Sequence, residues 1–138
     1  MPPFRYWPLL LALIVAAGVA NPVFAQITIN EARQQGLGSE VTVEGTVTRA
    51  YGAYARIQDE SGPTGASAIV IRQTSGPNST AFQDSIAAGT IQPGTTLEVT
   101  GTTSVFNGLI QINNDDLASF TVQGQGSPPS PQTVTLPG

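Results

Sequence analysis

The stretch Val41-Thr-Val-Glu-Gly-Thr-Val-Thr-Arg-Ala-Tyr-Gly-Ala-Tyr-Ala-Arg-Ile-Gln-Asp-Glu-Ser-Gly62 decides how the rest of the chain is read. Val41, Val43 and Val47 alternate with Thr42, Glu44, Thr46 and Thr48, the period of a strand with one buried and one wet face. Gly45 interrupts the valines. A glycine in so regular a strand marks a bulge, or a sharp bend at a barrel corner where one long strand passes between two parts of a curled sheet. Residues 50–53 then turn the chain. Ala55 and Ile57 restart the alternation, with Tyr54, Arg56 and Gln58 on the opposite side.

Upstream of this stretch, the chain opens with one arginine, Arg5, and an apolar run from Leu9 to Ala20, ending at Val23-Phe-Ala25 before Gln26. An early cation, a short apolar core and small residues three and one before a cut predict a signal peptide over residues 1–25. The run is shorter than the roughly 20 residues that span a bilayer. The expected product is exported to the periplasm, the cell surface or the medium. Cleavage leaves residues 26–138, enough for one domain with a single core.

Composition excludes several classes of function. Without cysteine the chain has no disulfide and must hold together by packing. Without histidine it has no Ser-His-Asp relay and no usual zinc or non-haem iron site. No catalytic residue, metal or cofactor is expected. Lysine is also absent, and after residue 25 only Arg33, Arg49, Arg56 and Arg72 oppose nine carboxylates. Such a protein does not grip nucleic acid mainly by neutralising phosphates, so any polyanion site must be local.

Thr28-Ile-Asn-Glu31 has capping-box spacing and predicts a short helix over 29–35, stopped by Gly36. A second strand is expected over 53–58, followed by the turn-rich run 59–65 and a third strand over 68–72. Thr80 and Gln83 repeat the capping-box spacing before Phe82 and Ile86, which share a helix face, with Gly89 as the stop. A fourth strand over 96–103 carries Gly101 as an echo of Gly45. Asn107-Gly108 is a hairpin signal leading to a fifth strand over 109–113, with a last short strand over 120–122. From Gly124 the composition is that of a Pro/Gly/Ser-rich tail, in which 133–136 could add an edge strand.

This order of strands, with a bent first strand and a helix between the third and fourth, predicts an all-β, five-stranded Greek-key OB barrel over residues 26–123. A small sandwich or another barrel is the alternative. The chain also resembles the secreted bacterial OB-fold domains of YhcR-type extracellular nucleases. The matching pieces are Glu31-Ala-Arg33, Val41-Thr-Val-Glu-Gly-Thr-Val47, Ile57-Gln-Asp-Glu-Ser-Gly62, Ala68-Ile-Val-Ile71, Val99-Thr-Gly101, Phe106-Asn-Gly-Leu109 and Pro131-Gln-Thr-Val-Thr-Leu136. In such proteins the module accompanies a separate catalytic domain, so the resemblance implies the fold and a nucleic-acid-binding role but no catalysis. The layout is also similar to small periplasmic bacterial OB-fold proteins linked to stress tolerance.

OB barrels bind on the face of their second and third strands, flanked by two loops. Here that region collects Arg49, Tyr51, Tyr54, Arg56, Arg72 and Phe106, with Tyr51 and Phe106 expected in the loops. Arginines and aromatics together suit base stacking with local phosphate contact, and they are also the ordinary cover of a two-sided sheet. Asp59-Glu60 and Asp115-Asp116 lack the spacing of a calcium loop and read as solvated turn residues. Asn78-Ser-Thr80 has the short pattern of a glycosylation acceptor and is given no weight. Two function classes follow: a binding module for single-stranded nucleic acid or an oligosaccharide, and a structural domain that docks an envelope or secreted protein.

Overall fold

A computed structural model describes residues 25–63, 65–131, 133 and 135–138. Of the expected signal segment, residues 1–25, all but Ala25 lie outside them. The long strand β2 (Glu40–Tyr51) serves two neighbours. Its first half pairs antiparallel with β5 (Thr95–Phe106), from Glu40↔Thr102 to Thr46↔Thr96. Its second half pairs with β3 (Tyr54–Gln58), from Thr46↔Gln58 to Tyr51↔Tyr54. Gly45 stands at this handover, where a Cβ would lie 3.0 Å from the main-chain N and O of Gln58. Glycine is therefore required by the close approach of β3, as the corner reading anticipates.

The bulge itself falls three residues later, with the register shifting between Val47 and Arg49. Thr48 is the extra residue. Up to this point the odd-numbered residues Val41, Val43 and Val47 are buried. Beyond it the phase reverses, so that Ala50 packs against the core while Arg49 and Tyr51 face outward with Arg56 and Tyr54. The hairpin closes on Gly52-Ala53, with Gly52 at φ +59, the arrangement that favours glycine first in a two-residue loop.

The strand β4 (Ala68–Arg72) pairs antiparallel with β3, and β6 (Leu109–Gln125) pairs parallel with β4 and antiparallel with β5. The hydrogen-bonded order β2-β3-β4-β6-β5 returns to β2, forming a ring. A short strand β1 (Gln26–Ile27), with no counterpart in the sequence reading, joins the sheet parallel to β2. The protein is mostly β, with one six-stranded, barrel-like sheet.

The expected separate strands 109–113 and 120–122 are parts of the single strand β6. Asn113-Asn-Asp-Asp116 reads as a turn, yet it lies within the strand, kinked at Asn114 (φ +44), whose side chain is anchored. Asn114 Oδ1 accepts from Thr74 N, Thr74 Oγ1 and Ser75 N at 3.0, 3.1 and 3.2 Å. Opposite this kink, β5 shifts register on both sides of Gly101. β6 runs to Gln125, two residues past the expected end of the barrel at residue 123, and no strand is assigned to the described residues after it.

The interior is filled from the strands by Val43, Val47, Ile57, Ile71, Leu97 and Ile112. The helix α1 (Ile29–Gln34) adds Ile29 and Ala32. Its capping box forms as expected from Thr28 and Glu31. Two further donors of the first turn are met from the 59–63 loop: Ile29 N donates to Asp59 Oδ2 at 2.8 Å and Asn30 N to Ser61 Oγ at 3.0 Å. Asp59 also accepts from Ser61 N and Ser61 Oγ. It is a half-buried tie between loop and helix, not a solvated turn residue.

The helix α2 (Ser79–Ala87) buries Phe82, which meets Phe120 edge-on with centroids 5.2 Å apart. The expected cap by Thr80 is not formed. Asn78 occupies the N-cap without a side-chain cap bond, since its Nδ2 donates to Leu117 O and Ala118 O. Gln83 likewise donates to Gln73 O, so both capping side chains serve tertiary contacts.

Candidate functional site

The site is built by three consequences of the fold. Alternation in β3 turns Ala55 and Ile57 inward, so Tyr54 and Arg56 face out. The register of β4 places Arg72 beside Tyr54 and Val70 beside Arg56 on the same face. The bulge at Thr48 brings Arg49 and Tyr51 to that face from β2. The parallel pairing of β4 with β6 then adds Gln111 opposite Val70, with Leu109 two residues before it.

These residues enclose a groove of about 350 Å³, lined by Arg49, Tyr51, Tyr54, Ala55, Arg56, Val70, Leu109 and Gln111. Four of the six expected site residues line it. The other two, Arg72 and Phe106, border it as a stack: the Arg72 guanidinium carbon is 4.8 Å from the Phe106 ring centroid and 5.9 Å from that of Tyr54. Arg72 Nε also donates to Tyr54 Oη at 3.3 Å. Tyr51 and Phe106 end β2 and β5, so neither is a loop residue as expected.

The sequence reading misses Val70, Leu109 and Gln111. With Ile112 buried and Ile110 packed against the core, alternation alone turns Leu109 and Gln111 outward. Their meeting with β4 depends on a parallel pairing between segments some forty residues apart, which leaves no local pattern.

The groove presents apolar ring surface beside cationic groups. Tyr51 is 76% exposed, Tyr54 43%, Phe106 44% and Leu109 47%. No carboxylate is among the lining residues. Arg56 is fixed across the floor, its Nη1 donating to Thr48 Oγ1 and to Gln58 Oε1, both at 3.0 Å. The acidic groups lie elsewhere: Glu44 pairs in register with Glu98, and a separate groove is lined in part by Glu44, Asp59 and Glu60. Arg33, the remaining arginine of the expected mature chain, donates to Ala68 O. Charge is thus segregated, with a local cationic face on an acidic protein.

Gln111 is the uncharged polar side chain of the lining apart from the tyrosines. It is 4% exposed, and its buried Oε1 has no hydrogen-bond partner. An unsatisfied buried acceptor costs about 1–3 kcal/mol. Among the described residues, no group of three or more His, Cys, Asp or Glu side chains is placed to hold a metal ion. No described helix is long and apolar enough to cross a membrane.

No family model matches the chain, and no curated protein matches it. Among solved structures the fold is similar to that of the hypothetical protein ygiW from E. coli, with a TM-score of 0.51 at 17% identity, covering 78% of this chain and 99% of that one. The likeness is one of fold.

Proposed function

We propose that the protein is an exported OB-fold binding module that holds single-stranded nucleic acid in the groove formed by β2, β3, β4 and β6. The observation that carries this reading is the gathering of Arg49, Arg56 and Arg72 with Tyr51, Tyr54 and Phe106 on one face whose groove has no carboxylate in its lining. Bases stack on exposed rings at about 1–3 kcal/mol each, largely irrespective of sequence, and the arginines take the links between them. The charge segregation supports it further, since a polyanion repelled by the rest of the surface is left with one place to settle.

The five-stranded Greek-key reading of the ring is supported by its order, β2-β3-β4-β6-β5, in which only β4 and β6 run parallel; β1 is then an appendage. The resemblance to the accessory OB modules of YhcR-type nucleases points to the same kind of ligand. We infer a binder and not a catalyst, because the chain has neither histidine nor cysteine and the groove holds no acid–base pair.

Titration of the purified protein with labelled oligonucleotides and, in parallel, with oligosaccharides tests the reading. Salt-dependent oligonucleotide binding weakened by Tyr54→Ala and by Arg56→Ala is the expected result. Glycan binding alone would reassign the ligand, and no binding of either would leave the protein-partner reading. That second reading draws on Leu37 and Val105, exposed apolar residues that are not part of the groove lining.

A further inference from the structure

The orphaned oxygen of Gln111 has a structural cause. Gln111 faces outward between Val70 of β4 and Ser104 of β5, its partners in register. Val70 has no side-chain donor, and the Ser104 hydroxyl is directed to the main-chain oxygen of Gln111 at 3.5 Å. The walls of the groove cover the carboxamide without satisfying it. Asn113, two residues along the same face and paired with Arg72, repeats the pattern with an unpartnered buried Oδ1. Gln73 Oε1 is also unpartnered, but that side chain is a clamp, its Nε2 donating to Arg72 O and Asn114 O away from the groove. Buried polar groups are almost always hydrogen-bonded, so a covered, unpartnered acceptor in the wall of a ligand-sized groove calls for a donor from outside.

We propose that Gln111 is the specificity-determining residue of the groove, pairing with the edge of a planar, amino-bearing base, adenine being the best match, whose ring stacks on Tyr54. The inference rests on the nucleic-acid reading above. A carboxamide offers an acceptor and a donor side by side, and adenine presents an amino N–H beside a ring nitrogen, the usual bidentate partner of Gln. Bases of a single strand are splayed out and can offer such an edge. Tyr51 and Tyr54 would supply sequence-tolerant stacking, Arg49 and Arg56 the contacts to phosphate, and Gln111 the one contact that tells rings apart. A site built around a buried hydrogen-bonding group rejects a ligand that leaves that group unpaired.

The test compares oligo(dA) with the same oligonucleotide carrying N6,N6-dimethyladenine, in which both amino hydrogens are replaced while the ring face is kept. Affinities are measured by fluorescence anisotropy for wild type, Gln111→Leu and Tyr54→Ala, with circular dichroism to check the fold. Wild type is expected to prefer oligo(dA) by about tenfold or more, the scale of one good bidentate contact. Gln111→Leu should bring the two ligands within about twofold of each other, and Tyr54→Ala should weaken both alike. Equal binding of the two ligands by wild type overturns the inference and leaves the nucleic-acid reading standing; that comparison needs no variant. Discrimination that survives in folded Gln111→Leu overturns it as well. If wild type binds no oligonucleotide, both the reading and the inference fall.

Discussion

Thr48 and Arg56 hold each other across the bulge of β2: Arg56 Nη1 donates to Thr48 Oγ1 at 3.0 Å, and that oxygen lies 3.3 Å from Arg56 O. The residue that shifts the strand by one position is therefore also the one that sets the arginine across the groove. Thr48→Val keeps the shape and removes the hydroxyl, so we expect a loss of about 0.5–1.5 kcal/mol, the net worth of a hydrogen bond. Deleting Thr48 would remove the bulge yet keep the phase, since Val47, Arg49, Ala50 and Tyr51 would then alternate in, out, in and out, so it should cost little beyond the same hydrogen bonds. Urea denaturation of the two variants checks this; a deletion variant several kcal/mol less stable than Thr48→Val would show that the bulge contributes more than one extra residue.

The tie between Asp59 and α1 gives a second expectation. Asp59 accepts from Ile29 N and from the Ser61 main chain, and it supplies a negative charge at a helix N-terminus. Asp59→Ala should destabilise the fold by about 1–2 kcal/mol, in the range of lost helix caps. Its exposed neighbour makes the control, since Glu60→Ala should leave the denaturation midpoint in place. Equal midpoints for the two variants would mean that the loop-to-helix bonds contribute nothing measurable.

Two glycines set apart steric need from habit. At Gly45 an added Cβ would stand 3.0 Å from the main chain of Gln58, whereas at Gly101 it would stand 2.6 Å from Asp116 O and from Ile112 Cγ2. Both substitutions force a shift, and overpacking of this kind costs about 1–3 kcal/mol. Gly101→Ala should be the worse of the two, because it meets a main-chain oxygen and a buried methyl at once. Thermal melts of Gly45→Ala and Gly101→Ala rank them, and the reverse order would contradict the packing argument.

What the sequence discloses and what it hides follow from the range of each interaction. The phase of Val41, Val43 and Val47, the Thr28–Glu31 box and the Asn107-Gly108 hairpin are local, and each forms where its residues predict. The face shared by Tyr54, Arg56 and Arg72 also follows from alternation once the strands are placed. The position of the bulge is a harder case, because Thr48 and Arg49 both fit a wet face and only the reappearance of Ala50 inside reveals the change of phase. β6 is hidden by composition: four consecutive Asn and Asp residues look like a turn, yet the strand continues through them, kinked at Asn114, which bonds from Thr74 and Ser75 anchor. Gln111 becomes a site residue only through the parallel β4–β6 pairing, which no local pattern encodes.

The stack of Phe106, Arg72 and Tyr54 separates the two forces assigned to the groove. Arg72 lies against two rings and bonds to Tyr54 Oη, so it both carries charge and holds the rings in place. If single-stranded nucleic acid binds as proposed, three arginines limit the salt dependence to a slope of about −2, at roughly 0.7 per phosphate. Arg72→Ala should bring the slope toward zero by about 0.7 and also lower affinity at high salt, because the rings lose their brace. Arg72→Lys keeps the charge but not the planar stack, so it should retain the slope and lose affinity. Tyr51→Ala should lower affinity by the worth of one stacked base, about 1–3 kcal/mol, with the slope unchanged. Anisotropy titrations at several salt concentrations read both quantities. A Tyr51→Ala variant that changes the slope, or an Arg72→Lys variant that binds like wild type, would show that stacking and charge are not divided between these residues as the geometry implies.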